Sequence, residues 1–416
     1  MTSDEAEGDR TPGSQPIRVT TLELFFDLIF AFTLTQLAVV LEGTEHLGRH
    51  VLQVLLIFGL LWWMYAGYAW LTNTRSPVRN PERLLLVLGM AGFLIAGLAT
   101  PAGFGRDALA LGLGYLLVVL VHAVLYARVN KQILRIAPFN LASALLVIGA
   151  AFTDGILTYL LWAAALVIQA LSPLVVRLGG RFELGPEHFA ERHGALIIVA
   201  IGESVAAIGI GAIGKPVDAQ LILAAVLGLA ISVAFWWTYF GSGDDGRGER
   251  AMRAAPATRR PGLAIAAYFY AHMPMLLGIV FVAAGVSEAV SHGLEPSLPA
   301  ALVLGVGAAA FTGGTAAFRA VMRTGPTALR LAATVFALAT IPLGALVAIE
   351  AQLGLLITGS IMMLVIEAVT DHDPATRAEA GGRPGGPEAS SRPAGPEASS
   401  RPGGPEAAGA GHATGE

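Results

Sequence analysis

Twelve stretches of 18 to 24 residues, each almost wholly apolar, follow one another near residues 21–41, 50–71, 84–101, 108–127, 136–153, 156–176, 193–213, 219–241, 262–285, 298–318, 328–349 and 352–370. A helix rises about 1.5 Å per residue, so each stretch can cross a hydrocarbon core of roughly 30 Å. Backbone polar groups find no water there, and runs of this length suit helices rather than the shorter strands of a barrel. Composition agrees: 55% of the 416 residues are hydrophobic, 13% are charged, and the mean hydropathy is +0.65, whereas a soluble domain carries about 25% charged residues. The expectation is an all-α, polytopic integral membrane protein of about 12 transmembrane helices. With no cysteine, disulfides, thiolate metal sites and cysteine nucleophiles are excluded. A net charge of -4 gives no basic bias toward nucleic acid. The first apolar segment is too long for a signal-peptide core and reads as a retained helix.

Cytoplasmic loops collect Lys and Arg, so the basic residues orient the chain. Seventeen of the 26 lie in the loops after spans two, four, six, eight and ten, among them Arg79, Arg128, Arg192, Arg250, Arg319 and Arg330. Only Arg49, Arg106 and Lys215 lie in the opposite loops, and six lie in the tails. By this reading no Lys or Arg is left for a span interior, and both termini are cytoplasmic. Residues 1–20 form a polar, disordered N-terminus. Residues 371–416, with "RPGGPEASS", "RPAGPEASS" and "RPGGPEAAG" in tandem, form a disordered tail that lacks the apolar surface to offset chain entropy.

An echo divides the membrane region. "ELFFDLIFAFTLTQLA" from Glu23 and "ERHGALIIVAIGESVA" from Glu191 both open on Glu, and both place a polar pair twelve residues on, Thr35-Gln36 and Glu203-Ser204. Each is followed by an aromatic pair in the next span, Trp62-Trp63 and Trp236-Trp237. The expected organisation is two parallel six-helix repeats, residues 21–176 and 193–370, joined by a cytoplasmic linker at 177–192, with a site between the halves.

Polar residues inside apolar spans are costly and need a reason. Glu23 and Asp27 lie four apart on one face of the first helix, near an N-terminus whose dipole favours negative charge. Glu23 reads as an entrance carboxylate paired with an arginine; Asp27, deeper, reads either as a pathway residue or as a tether between helices. Glu203 has ten residues of its span on either side. It must be protonated, paired or met by water. His272 has a similar depth, so a Glu203–His272 couple is expected, either relaying protons or binding a cation, or else forming a neutral hydrogen-bonded contact that locks two helices. His122 and Asn140 match Asp27 in depth and would share a cytoplasm-facing vestibule with it, or else bond to nearby backbone carbonyls. Gln36, Ser204, Glu191 and His193 complete the expected route. The spacing of "HFAERH" does not put both histidines on one face with Glu191, so no metal site is expected, and no strand precedes the glycine-rich fragments, so no phosphate loop or other cofactor site is expected.

"ELFFDLIFAFTLTQLA", "HFAERHGALIIVAIGESVAAIG" and "YFYAHMPMLLGIVFVAAG" resemble the bacterial low temperature requirement A family from about Thr21 to Val369. The resemblance implies a polytopic inner-membrane protein linked to growth in the cold, and no defined reaction. "FFDLIFAFTLTQL" is also similar to the first-helix "FSD" signature of lysosomal and bacterial potassium channels, with Phe26 in place of Ser. The expected function is movement of a small solute or ion, without enzymatic activity. Membrane lipids are the expected surroundings, and a homo-oligomer is compatible with the sequence. The alternatives are an ion channel of the FSD type and a membrane-embedded lipid-modifying enzyme or sensor.

Overall fold

A computed structural model describes residues 19–42, 46–74, 79–129, 135–175 and 184–370; residues 1–18, the 371–416 tail and part of the 177–192 linker lie outside the described residues. Among these the regular structure is helical throughout: α1 (Thr21–Leu41), α2 (Leu47–Thr74), α3 (Asn80–Ala99), α4 (Ala108–Ala127), α5 (Ala137–Ala150), α6 (Ile156–Val175), α7 (Pro186–Gly211), α8 (Ala219–Trp236), α9 (Asp244–Ala254), α10 (Arg260–Leu263), α11 (His272–His292), α12 (Leu298–Met322), α13 (Ala328–Ala339), α14 (Ile341–Leu346) and α15 (Ile349–Thr370). Two π-helical stretches, Trp237–Gly241 and Ala264–Ala271, continue α8 and lead into α11.

Ten helical segments among the described residues are long and apolar enough to cross a membrane. Of the two further expected spans, the fifth corresponds to α5, which has 14 residues, and the sixth to α6, a helix of 20 residues whose side chains are described from Ile156 to Ser172. Their hairpin turns at Asp154 and Gly155, where Gly155 takes φ 64°, a left-handed conformation that glycine adopts without penalty. Local chemistry sets the helix starts. Thr20 and Glu23 form a capping box on α1, and Asp218 and Ser297 accept from the backbone at the starts of α8 and α12, satisfying amides that have no partner within their helices. Proline stands in the first turn of α3, α5, α7 and α12, where its missing N–H costs nothing.

Exposed apolar positions on the helices are mostly aliphatic, including Leu84, Leu98, Leu113, Val335 and Val369. Without a hydrophobic force between helices in lipid, close packing relies on small residues. α3 meets α4 where Gly92 faces Gly114, and a Cβ on either would sit 2.9 Å from the other's carbonyl oxygen. α11 meets α12 the same way: a Cβ on Gly278 would lie 2.6 Å from the Gly307 oxygen. α1 packs on α3 and α7 on α11; α2 packs on α6 and α8 on α15. Across the middle, α1 lies against α7 and α11.

The seventh helix corrects the expected boundary. It starts at Pro186 rather than 193, so His188, Glu191 and Arg192, assigned to the linker, are helical residues. Arg192, Arg319 and Arg330, counted above among loop cations, are almost wholly buried within the helices, at 1%, 1% and 0% exposure.

A buried charge cluster and the polar residues around it

On α7, His188 and Arg192 lie four apart and face the Glu23–Asp27 pair of α1, so one turn of each helix presents two polar groups to the other. Arg192 donates through Nε and Nη2 to Asp27 Oδ1 at 3.2 and 3.1 Å, and through Nη1 to Glu23 Oε1 at 3.4 Å. The same Nη1 donates to Thr72 Oγ1 of α2. Tyr65 of α2 donates to Asp27 Oδ1 at 2.8 Å, and the guanidinium lies 5.5 Å from the ring centres of Phe26 and Tyr65, within reach of a cation–π attraction. A narrow cleft lined by Leu71, Thr72, Leu86, Leu125 and Arg128 reaches Thr72.

The tautomer of His188 follows from its neighbours. Asn73 accepts from Gly185 N and donates Nδ2 to Gly185 O, both at 3.0 Å, which fixes its amide. Its Nδ2, a donor only, lies 3.2 Å from His188 Nδ1, so Nδ1 is the acceptor. His188 Nε2 then carries hydrogen and donates to Glu23 Oε1 at 3.1 Å. With His188 neutral, two carboxylates face one guanidinium. Glu23 is also bonded to Thr20, but Asp27 Oδ2 has no hydrogen-bond partner among the described residues, although Asp27 is fully buried.

Beside the cluster runs a column of aromatic rings. Tyr65 stacks on Trp62 and Trp62 on Phe269, with centres 5.4 and 5.8 Å apart. His193 bonds through Nδ1 to Phe189 O at 2.8 Å and lies 5.4 Å, centre to centre, from His272. His272 Nδ1 donates to Ala267 O at 2.9 Å, and Tyr239 OH donates to its Nε2 at 2.9 Å. This link joins the two π-helical stretches.

The expected Glu203–His272 couple does not form, because both His272 nitrogens are engaged elsewhere. Glu203, half-buried, accepts instead from Thr35 of α1 at 2.6 Å; at 1.5 Å per residue, this pair sits about 12 Å along α1 from Asp27. Ser204 donates to Ala200 O within its own helix. Gln36 is half-buried with no hydrogen-bond partner among the described residues, and Glu191 is exposed and accepts from Val19 N. His122 and Asn140 are buried, and neither bonds Asp27. His122 lies against Tyr68 and Tyr126, with its Nε2 turned to Gly67, while Asn140 Oδ1 has no hydrogen-bond partner among the described residues. The expected vestibule is therefore replaced by the Arg192 cluster. Phe26, at the serine position of the channel-like signature, is buried against Tyr65, Tyr68 and Phe93, so a ring occupies the place of a hydroxyl.

A second cluster was missed at the sequence level. Arg319 of α12 donates to Asp244 at 2.8 Å and to Glu367 of α15 at 2.7 Å. Arg330 of α13 donates to Glu367 at 3.0 Å and lies 2.6 Å from Asp244, while its Nη2 reaches Thr238 O and Ser242 Oγ at the first π-helical stretch. Two acids face two buried bases, with Arg247 joining Asp244 from the rim at 3.2 Å. The available signal was Glu367, an acid within the last apolar span that needs a cation in reach.

The chain is similar, at 30% identity over 301 residues, to an uncharacterized protein of Rhizobium meliloti (strain 1021), the match covering 68% of this chain and 71% of that one. The family model described as bacterial low temperature requirement A protein matches residues 18–368, which takes in α1 with its Glu23–Asp27 pair, α7 with Arg192 and nearly all of α15, and the chain therefore belongs to the bacterial low temperature requirement A family.

Proposed function

We propose that the protein moves a small solute or ion across the bacterial inner membrane, with both termini cytoplasmic and the Asp27–Arg192 cluster as the polar constriction of the route. The observation that carries this reading is the cluster's charge imbalance: among the described residues Arg192 is the one arginine or lysine paired with Glu23 and Asp27, His188 meets Glu23 as a neutral donor, and Asp27 Oδ2 is buried without a hydrogen-bond partner. A cluster that merely ties helices together is most stable when charges cancel, because an uncompensated buried charge costs several kcal/mol. Among the buried members of the second cluster, Asp244 and Glu367 are matched by Arg319 and Arg330, with the part-exposed Arg247 added at the rim. The Asp27 cluster leaves one negative charge that a proton or transported cation would neutralise.

Its location supports the same reading. α1 and α2 belong to the first six helices and α7 opens the second six. We read the two sets as parallel repeats because α1–α3, α3–α4 and α2–α6 packing is repeated as α7–α11, α11–α12 and α8–α15. Sites between such halves serve alternating access.

The test is flux in liposomes reconstituted with the full chain, screened across a panel of protons, alkali cations and small organic solutes. Asp27→Asn is expected to abolish flux while the protein remains folded. Undiminished flux in folded Asp27→Asn would remove the cluster from the route.

A further inference from the structure

Glu203 stands outside the Arg192 cluster, half-buried and deep along α7. Its Oε2 lies 2.6 Å from Thr35 Oγ1 of α1, while its Oε1 has no hydrogen-bond partner among the described residues. No Lys, Arg or His pairs with it among those residues. The surroundings supply no countercharge. Ile279, Val280 and Ala283 of α11 are aliphatic, α8 carries no ionisable side chain, and Ser204 turns back to Ala200 O. The nearest titratable groups on the packed helices are remote at 1.5 Å per residue: Asp27 lies about 12 Å along α1 from Thr35, His193 about 15 Å along α7 from Glu203, and His272 and Glu288 about 10 and 8 Å along α11 from Ile279 and Ala283. A carboxylate at hydrocarbon depth costs several kcal/mol unless something compensates it.

The Thr35 hydroxyl suits both forms of the acid. It is a donor and an acceptor, and its Oγ1 also lies 3.4 Å from Ala31 O. With Glu203 ionised, the hydroxyl donates to the carboxylate, and 2.6 Å is a usual length for such a charge-assisted bond. With Glu203 protonated, the acid donates to Thr35 and the hydroxyl hydrogen turns to Ala31 O. Neither helix has to move. Space limits what else could bind. The groove beside Glu203, between α1, α7 and α11, has room for about one water molecule. One water can deliver or remove a proton. An alkali cation would have to exchange its hydration shell for several oxygens, and beyond Glu203, Thr35 and Ser204 the groove walls are alkyl.

Thr35 and Glu203 are 168 positions apart, the same offset that aligns Glu23 with Glu191 in the two echoing segments. On the repeat reading they are equivalent residues, and equivalents that touch each other lie on the axis relating the halves. Transporters built from repeats hold their coupling ions at the repeat interface, near the bilayer midplane.

We propose that Glu203 and Thr35 form a proton-binding site, and that the proton is the ion whose movement drives transport. Loading forms one O–H bond on the carboxylate as one breaks on a protonated groove water, and release reverses the exchange. The driving role rests on the transport reading, while proton binding stands on the geometry around Glu203 alone.

The experiment follows the C=O stretch of protonated carboxyls by infrared difference spectroscopy on the full chain in lipid nanodiscs, with the buffer cycled across neutral pH. A band that disappears on the alkaline side and returns on the acid side is expected, and Glu203→Gln is expected to delete it. Thr35→Val keeps the side chain's shape and is expected to move the band to higher frequency, because the acid's O–H loses its acceptor. That shift assigns the band even if Glu203→Gln does not fold. Replacing sodium and potassium by N-methylglucamine is expected to change nothing. A Glu203 band present on both sides of neutrality, or on neither, overturns the proposal, as does one displaced by sodium or potassium. In liposomes an imposed proton gradient is expected to drive the flux, and Glu203→Gln to lose that drive; flux indifferent to the gradient overturns the driving role. The two readings fail separately: flux with no cycling Glu203 band would refute this site and leave transport standing, whereas a cycling band without flux of any solute in the panel would remove the transport reading and leave the site.

Discussion

Replacing Arg192 by Gln, which keeps hydrogen-bonding capacity and removes the charge, should be among the most damaging single changes in the membrane region. The guanidinium makes two bonds to Asp27 Oδ1, one to Glu23 Oε1 and one to Thr72 Oγ1. Its loss leaves Glu23 and Asp27, each at 0% exposure, with no arginine or lysine paired to them among the described residues. Summing four charge-assisted bonds at about 1.5–3 kcal/mol each would overstate the cost, since the acids can protonate and the reference chain in lipid also finds partners. Removing one member of a buried ion pair costs about 3–5 kcal/mol, and that range is expected here. Asp27→Asn should behave oppositely. It cancels the excess charge, its amide oxygen can still accept from Tyr65 and Arg192, and its effect on stability should stay within about 1 kcal/mol. Adding Asp27→Asn to Arg192→Gln should return about 1–3 kcal/mol of the loss, the coupling expected of groups in direct contact. Steric-trap unfolding in bicelles measures all four corners of the cycle. An Arg192→Gln loss below about 1 kcal/mol, or strictly additive substitutions, would refute the assignment of an unbalanced buried cluster.

The second cluster predicts a different pattern: Glu367→Gln leaves Asp244 as the one carboxylate paired with Arg319 and Arg330 among the described residues and should cost about 3–5 kcal/mol in the same unfolding assay. Gly278→Ala would drive a methyl to 2.6 Å from the Gly307 oxygen and should lower stability by about 1–3 kcal/mol; Gly149→Ala, with nothing within 4 Å of the new Cβ, should be neutral or raise it by up to about 1 kcal/mol, as thermal unfolding in nanodiscs would show. Tyr239→Phe removes the donor to His272 Nε2 and should cost about 1–3 kcal/mol, the price of an unsatisfied buried acceptor; a variant indistinguishable in thermal unfolding would show that the contact carries no weight.

The apolar runs were legible because lipid permits so few backbone solutions: α1, α4 and α12 start and end within a few residues of where their hydropathy places them. The pairing of Glu23 with an arginine was legible too, since a buried acid requires one. Which arginine was not. Arg192 sits six residues, nearly two turns, beyond the start of α7 at Pro186, and hydropathy cannot separate helical turns that extend past the apolar run from a loop. The same ambiguity hid Arg319 and Arg330. Glu203 and His272 were matched by depth alone, but depth leaves the direction around the helix axis unspecified. Here Ala267 O and Tyr239 claim His272, and Thr35 claims Glu203.

The paired π-helical stretches alter how this part of the protein tolerates deletions. A π turn holds one more residue than an α turn, so its loss regularises the helix and leaves the parts on either side in phase. Removing one residue between Ala264 and Ala271 would let the later course of α11 keep its present facing. Removing one within α11 would turn everything beyond it by about 100° and shift it about 1.5 Å, displacing Gly278 from Gly307. The segment that carries His272 thus holds spare length, and the glycine contact beyond it has none.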